Sequence, residues 1–275
     1  MRFRAGGIRF EIGPDEALNA ADREALGSLD PDSEVTPGTP FTIELAREEP
    51  WSSDDPALFP QEDPPVLRWS DGRLLSSHRS FTAEILPFEG RARLYRRAMA
   101  PYPIQAVVRA TMMARLPLVG GLPFHAAGID VEGRGVVFFG PSGAGKTTLA
   151  STSPFPVLSD ELVAVNGGGP FVLVRSGFWG LGRASGHAGP APLAALVDLA
   201  KGEHLALTPL RPSVAASRIV ASVPVPLAVP LWARALAVVA ELVERLPVYR
   251  MEWNPAEPPW EQLAAVLPPR PSPRT

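Results

Sequence analysis

The stretch GPSGAGKTT at residues 140–148 matches the spacing GxxxxGK[ST] of a phosphate-binding loop, and we call residues 140–147 the phosphate loop. Glycines at this spacing let successive backbone N–H groups turn inward around phosphate oxygens. Lys146 is expected to reach the β- and γ-phosphates of a nucleotide, and the Thr147 hydroxyl is expected to bind Mg²⁺. The candidate nucleotide-binding residues are Gly140, Pro141, Ser142, Gly143, Ala144, Gly145, Lys146, Thr147 and Thr148.

The alternative explanation of this stretch is a glycine-rich turn between a strand and a helix. The apolar run VVFF precedes the loop and the dipeptide LA follows its threonines, as the strand–loop–helix context of the motif requires. Lysine usage points the same way, because among 26 basic residues only Lys146 and Lys201 are lysines. The sequence therefore predicts a bound nucleotide, with ATP and Mg²⁺ as the expected cofactors.

Two adjacent acids, Asp160 and Glu161, lie in the apolar segment VLSDELVAV at residues 157–165. Phosphoryl transfer uses a carboxylate near Mg²⁺ and a base for the incoming hydroxyl. If both side chains turn into the site at a strand end, one can serve the metal and the other can accept the proton. The alternative is that one acid only caps the strand. Thr147 and Asp160 are the candidate metal ligands.

His125 lies in the apolar run LPFHAAGI, ahead of the phosphate-loop strand. A single histidine in such a run is more often a packed core residue than a functional one. Further along, the segment SGFWGLGR combines glycines with Phe178, Trp179 and Arg183. It predicts either a lid or substrate platform made by these three residues or a simple packed turn.

The elements that must position these residues follow from periodicity and from Pro, Gly and Asp punctuation. Strands are expected at 7–12, 41–45, 66–70, 81–86 and 91–96, then around the EGRG turn before the phosphate loop, and at 157–165, 171–175, 203–210 and 247–253. Helices are expected at 104–116 (stopped by Pro117), 193–200, 212–223, 230–245 and 258–267. We therefore predict a β-rich N-terminal region at 1–100, a P-loop domain at 101–267 and a disordered tail at 268–275.

Composition excludes several classes of function. The net charge of −3 gives no overall basic field, so nucleic acid is not an expected partner. The absence of cysteine removes disulfides, thiol catalysis and thiolate metal sites, and fits the cytoplasm. The N-terminus has no uninterrupted apolar region, and no later stretch is apolar enough to span a membrane. We expect a cytoplasmic protein with no membrane partner.

The run FHAAGIDVEGRGVVFFGPSGAGKTTLA followed by LSDELVAV resembles the catalytic domain of HPr kinase/phosphorylase. It is more similar still to the HPr-kinase-related proteins of peptide-modification pathways. The resemblance covers about Leu122 to Trp253 and is much weaker in residues 1–100. It implies an α/β P-loop kinase fold of the HPr kinase and phosphoenolpyruvate carboxykinase type, behind a β-rich N-terminal region.

Residue by residue, the resemblance makes His125 the active-site histidine and Lys146 the phosphate-binding lysine. It makes Thr147 the Mg²⁺ hydroxyl, and Asp160 and Glu161 the acidic pair.

The sequence departs from the family pattern at three places. Glu161 replaces an aspartate, Pro154 and Pro156 shorten the helix after the phosphate loop, and no glutamate stands near SGFWGLG.

The expected function is Mg²⁺-ATP-dependent transfer of the γ-phosphoryl group to a hydroxyl, with serine of a protein or peptide as the expected acceptor. A small-molecule kinase and a noncatalytic nucleotide-sensing module are the alternatives, since both would share the phosphate loop. Whether the chain forms a homo-oligomer is left open.

Overall fold

The computed structural model describes residues 1–27, 29–31, 39–46, 65–96, 103–178 and 189–270. Within these ranges the chain is a mixed α/β protein with two mixed sheets of eight strands each and six α-helices. It divides into two compact units, Met1–Leu118 with Val225–Trp232 and Val119–Pro224 with Ala233–Thr275. No helix in the described ranges is long and apolar enough to cross a membrane.

The first unit holds eight strands: β1 (Arg2–Ala5), β2 (Ile8–Gly13), β3 (Asp30–Pro31), β4 (Phe41–Ala46), β5 (Val66–Ser70), β6 (Arg73–His78), β7 (Phe81–Leu86) and β8 (Arg91–Arg96). Their spatial order is β3-β1-β2-β4-β8-β7-β6-β5. β4 pairs in parallel with β2 and β8, and the other pairings are antiparallel. The five strands predicted in this region are confirmed to within a residue at either end.

Three strands of this sheet were not predicted. β1 and β3 are short, so their alternation covers too few residues to be recognised. β6 buries the polar residues Ser76, Ser77 and His78. Because the periodicity argument needs apolar side chains on the buried face, it fails on such a strand.

Two helices belong to this unit, α1 (Ala20–Gly27) and α2 (Pro103–Leu118). α2 buries Val107, Val108, Met112 and Leu116, as their helical spacing predicts. The predicted stop before Pro117 is wrong by two residues, because Pro117 lies inside the helix. As the penultimate helical residue, it removes a backbone donor only in the last turn.

The second unit holds β9 (Leu122–Asp130), β10 (Gly135–Phe139), β11 (Val157–Ser159), β12 (Leu162–Asn166), β13 (Val172–Val174), β14 (Ala191–Lys201), β15 (Ala206–Pro209) and β16 (Val248–Trp253). Its helices are α3 (Lys146–Ser151), α4 (Pro212–Val220) and α6 (Trp260–Val266), and it shares α5 (Val229–Arg245) with the first unit. β9 pairs antiparallel with β10, β11 and β12. Apart from the helix at 193–200, the predicted elements of this region are found with shifted ends, and the strand at 157–165 is interrupted.

The predicted helix at 193–200 is wrong, because these residues form most of β14. The run PLAALVDLA is apolar with one acid, a composition that fits a buried helix as well as a strand buried on both faces. β14 runs parallel between β10 and β16, and Leu196, Val197 and Leu199 are fully buried. Burial on both faces removes the alternation that identifies a strand.

Three parallel strands, β10, β14 and β16, position the site. Parallel strands bring their carboxyl ends to one edge of a sheet, and ligands of α/β proteins bind at that edge. Phe139 at the end of β10 is in register with Asp198 of β14. Lys201 at the end of β14 is in register with Trp253 at the end of β16.

Candidate functional site

The phosphate loop begins where β10 ends. β10 is fully buried, and the chain leaves it at Gly140, which has a φ of 147°. A Cβ at Gly140 would lie 2.5 Å from the carbonyl oxygen of Leu199 in β14. Glycine at this position therefore lets the loop turn away while its backbone stays packed against the neighbouring strand.

Lys146 is the first residue of α3, and its side chain folds back across the start of the loop. Its Nζ donates hydrogen bonds to the carbonyl oxygens of Gly140 at 2.8 Å and Pro141 at 3.1 Å. The residue is only 7% exposed, and this burial lowers the pKa of its ammonium group. A cation is thus held within the loop that the sequence assigns to phosphate.

The acid pair, Asp160 and Glu161, forms the bend between β11 and β12. The predicted continuous strand at 157–165 is therefore interrupted at the two acids. Ser159 fixes the bend: its buried Oγ donates a 2.7 Å hydrogen bond to the carbonyl of Phe178 and accepts one from the Glu161 N–H. On the other side, the Ala126 N–H in β9 donates to the Glu161 carbonyl at 3.2 Å.

His125 is the one exposed residue within β9, where its neighbours Phe124 and Ala126 are fully buried. It is in register with Leu162, the residue that follows the acid pair. Its backbone N–H donates to the carbonyl of Ser222 at 3.0 Å, beyond the end of α4. The strand therefore turns this side chain outward next to the acids, instead of packing it in the core.

A cavity of about 740 Å³, which we call the large cavity, brings these parts together. Its size falls in the range of ordinary ligand pockets, roughly 300–1,000 Å³. Residues from the phosphate loop, the acid bend, β9 and the ends of β14 and β16 line it: His125, Ser142, Gly143, Ala144, Gly145, Lys146, Thr147, Thr148, Asp160, Glu161, Lys201, Gly202, Trp253, Asn254 and Pro255.

Most of the predicted site residues line the large cavity. Gly140 and Pro141 do not, and they line a second cavity. Sequence reasoning missed the wall made by Lys201 and Gly202 and by Trp253, Asn254 and Pro255. The one available signal was Lys201, since lysine is rare in this chain.

The three predicted substrate residues have different outcomes. Phe178 is 8% exposed and does not line the large cavity. Its backbone carbonyl accepts the hydrogen bond from Ser159, so Phe178 helps to hold the acid bend in place. Trp179 and Arg183 lie outside the described residues.

A scan of protein-family models and a search of curated proteins found no match to this chain.

Proposed function

We propose that this chain is a Mg²⁺-ATP-dependent cytoplasmic kinase that transfers the γ-phosphoryl group to a hydroxyl, with serine of a protein or peptide as the acceptor. The observation that carries the proposal is the large cavity, which the phosphate loop, the acid pair and His125 line together. A phosphate loop alone fits many nucleotide-binding functions. A loop with two carboxylates in the same cavity matches the parts that phosphoryl transfer uses.

The fold that we propose is the P-loop kinase fold of the HPr kinase and phosphoenolpyruvate carboxykinase type. It is supported by the phosphate loop at the carboxyl end of β10, beside the parallel strand β14. In this proposal the backbone N–H groups of the loop bind the nucleotide phosphates, and the Lys146 ammonium neutralises their charge.

The residues present fit a magnesium ion. In the described part of the chain, no three His, Asp or Glu side chains are grouped closely enough to hold a metal ion by themselves. Mg²⁺ at nucleotide sites needs no such group, because one or two protein oxygens, phosphates and water complete its coordination. Thr147 and the nearly buried Asp160 supply oxygen atoms to the large cavity and would hold the ion. The ion would neutralise charge on the phosphates.

Glu161 accepts the acceptor's proton in the proposed reaction. The hydroxyl oxygen forms a bond to the γ-phosphorus while the bond to the β–γ bridging oxygen breaks, and ADP leaves with that oxygen. The hydroxyl proton passes to the Glu161 carboxylate. His125, exposed beside the acid bend, would donate a hydrogen bond from a ring N–H to the transferred phosphoryl group.

Titration calorimetry with ATP, with and without Mg²⁺, tests the first half of this proposal. The wild-type chain should bind Mg²⁺-ATP, and Lys146→Met should abolish the binding. Thr147→Val should weaken only the Mg²⁺-dependent part. Thr152→Val is the matched control, because Thr152 follows α3 and hydrogen-bonds only backbone carbonyls.

Transfer from γ-labelled ATP to peptides and to small hydroxyl compounds tests the second half. Labelled phosphoserine in a peptide is the expected product. A labelled metabolite with no peptide product would make the chain a small-molecule kinase. ATP binding without any turnover would make it a nucleotide-sensing module, and no ATP affinity in the wild-type chain would overturn the proposal altogether.

A further inference from the structure

A second cavity of about 360 Å³, which we call the small cavity, is lined in part by His125 and Ser142. Both of these residues line the large cavity as well. Gly140 and Pro141 of the phosphate loop also line the small cavity, together with Arg218 in α4 and with Ser222 and Pro224 after it. The proposed function places the nucleotide in the large cavity and leaves the small cavity unused.

Three ionisable side chains line the small cavity: His125, Asp198 and Arg218. Asp198 is buried, and its carboxylate accepts a 2.6 Å hydrogen bond from Nη1 of Arg250. The Nε of Arg218 lies 3.8 Å from the same carboxylate oxygen, which is within ion-pair distance but too long for a hydrogen bond. Arg250 is thus the close partner of the buried acid.

The Arg218 side chain is 54% exposed at the cavity wall. A guanidinium carries five N–H donors in a planar fork that matches a carboxylate. Arg250 and Arg218 together carry two positive charges against the one negative charge of Asp198, so this group of three side chains is cationic overall. The small cavity therefore favours an anionic group over a cationic one.

We propose that the small cavity is the acceptor subsite and that Arg218 binds a carboxylate carried by the acceptor near its reacting hydroxyl. This inference rests on the proposed function, since it assigns the acceptor end of the same reaction. The shared boundary at His125 and Ser142 lets the hydroxyl reach the γ-phosphoryl group while the carboxylate stays at Arg218. The expected acceptor is a serine with an acidic neighbour, or a small hydroxy acid of the same chemistry.

The test compares serine peptides that differ only in their neighbours. Short peptides with Glu, Gln or Lys at the positions flanking serine, together with free serine and glycerate, are incubated with the full chain and labelled Mg²⁺-ATP. Peptides with Glu should be phosphorylated with a KM about tenfold or more below that of the Gln peptides, the effect expected of a hydrogen-bonded ion pair. Peptides with Lys should be the poorest.

Substitution of Arg218 identifies the subsite. Arg218→Ala should remove the preference for Glu over Gln, and Arg218→Glu should transfer the preference to Lys. Arg234→Ala, an exposed arginine of α5 that lines neither cavity, is the control and should keep the preference. Calorimetry on each variant separates the two proposals, because ATP affinity does not depend on Arg218.

The possible results either overturn or support the acceptor subsite. If the wild type binds ATP but shows no advantage of Glu over Gln peptides and reacts with neither glycerate nor free serine, the acceptor inference is overturned and nucleotide binding still stands. A preference for Glu that persists in Arg218→Ala also overturns it. An Arg218-dependent reaction with glycerate or free serine supports the subsite and assigns it to a small acid.

Discussion

Replacing Gly140 by alanine tests whether the phosphate loop is packed against β14 as described. Gly140 combines a φ of 147° with a position where a Cβ would meet the Leu199 carbonyl oxygen at 2.5 Å. Leu199 is fully buried in a strand that pairs on both sides, so its backbone has little freedom to move. Gly143→Ala is the matched control, since Gly143 has a φ of 77° but no atom within 4 Å of the added Cβ.

The two substitutions should lower the free energy of unfolding by different amounts, because only the Cβ added at Gly140 meets the Leu199 carbonyl oxygen. At Gly143 alanine meets only the unfavourable positive φ, which costs roughly 1–2 kcal/mol. At Gly140 the backbone conformation costs roughly 1–3 kcal/mol, and displacing a buried carbonyl adds roughly 1–3 kcal/mol. Gly140→Ala should therefore be less stable than Gly143→Ala by about 2 kcal/mol, or roughly 4–8 °C in Tm.

Urea and thermal unfolding followed by circular dichroism measure both variants beside the wild type. We expect Gly140→Ala to unfold at a lower urea concentration and a lower temperature than Gly143→Ala. If Gly140→Ala unfolds at the same urea concentration as Gly143→Ala, the described contact between the loop and β14 does not exist in solution.

The other predictions concern the charged groups and the bend that carries the acids. Burial lowers the pKa of Lys146 below its ordinary value of 10.5, so the unfolded chain holds that proton more tightly than the folded chain. The free energy of unfolding of the wild type, compared with that of Lys146→Met, should therefore rise as the pH approaches 10.5. Urea unfolding at a series of pH values between neutral pH and pH 10.5 measures this difference. Asp160→Asn should impair the Mg²⁺-dependent part of ATP binding, whereas Glu161→Gln should slow transfer by about 100-fold with ATP affinity nearly unchanged. Glu203→Gln, outside both cavities, is the control, and wild-type rates in both acid variants would contradict the assigned roles. Ser159→Ala should cost about 0.5–1.5 kcal/mol because it removes the buried hydrogen bond from the Ser159 hydroxyl to the Phe178 carbonyl, and it should slow transfer as well. An unchanged unfolding free energy in Ser159→Ala would show that the bend does not depend on this hydrogen bond.

The sequence predicted the phosphate loop and the acids because each is a short contiguous signal. The phosphate loop is an eight-residue stretch whose residue spacing has a structural reason, and the acids stand out against an apolar segment. The exposed position of His125 could not be predicted from periodicity, since residues 122–124 and 126–129 of β9 are all apolar and buried. Only the resemblance favoured a functional role for it.

The part of the large cavity lined by residues 201–202 and 253–255 could not be predicted, because it depends on how strands that are distant in the sequence pair with each other. Lys201 and Trp253 are more than fifty residues apart, and they meet only because β14 and β16 run parallel with these two residues in register. The wrong helix at 193–200 hid this relationship, since a helix there would leave no parallel strand to bring Lys201 beside Trp253. The five missed residues make up a third of the residues that line the large cavity.

The same strand explains why the two cavities have separate roles in the proposed reaction. Within four residues, β14 places Asp198 at the small cavity and Lys201 at the large one, and Leu199 between them packs against the start of the phosphate loop. His125 and Ser142 line both cavities and so lie on the boundary between them. The large cavity contains a second lysine, Lys201, and the small cavity contains Arg218 beside the buried Asp198, which is hydrogen-bonded to Arg250. Side-chain cations favour the binding of both an anionic donor and an anionic acceptor. In the proposed reaction Lys146 and Lys201 of the large cavity would face the donor phosphates, and Arg218 of the small cavity would face the carboxylate of the acceptor.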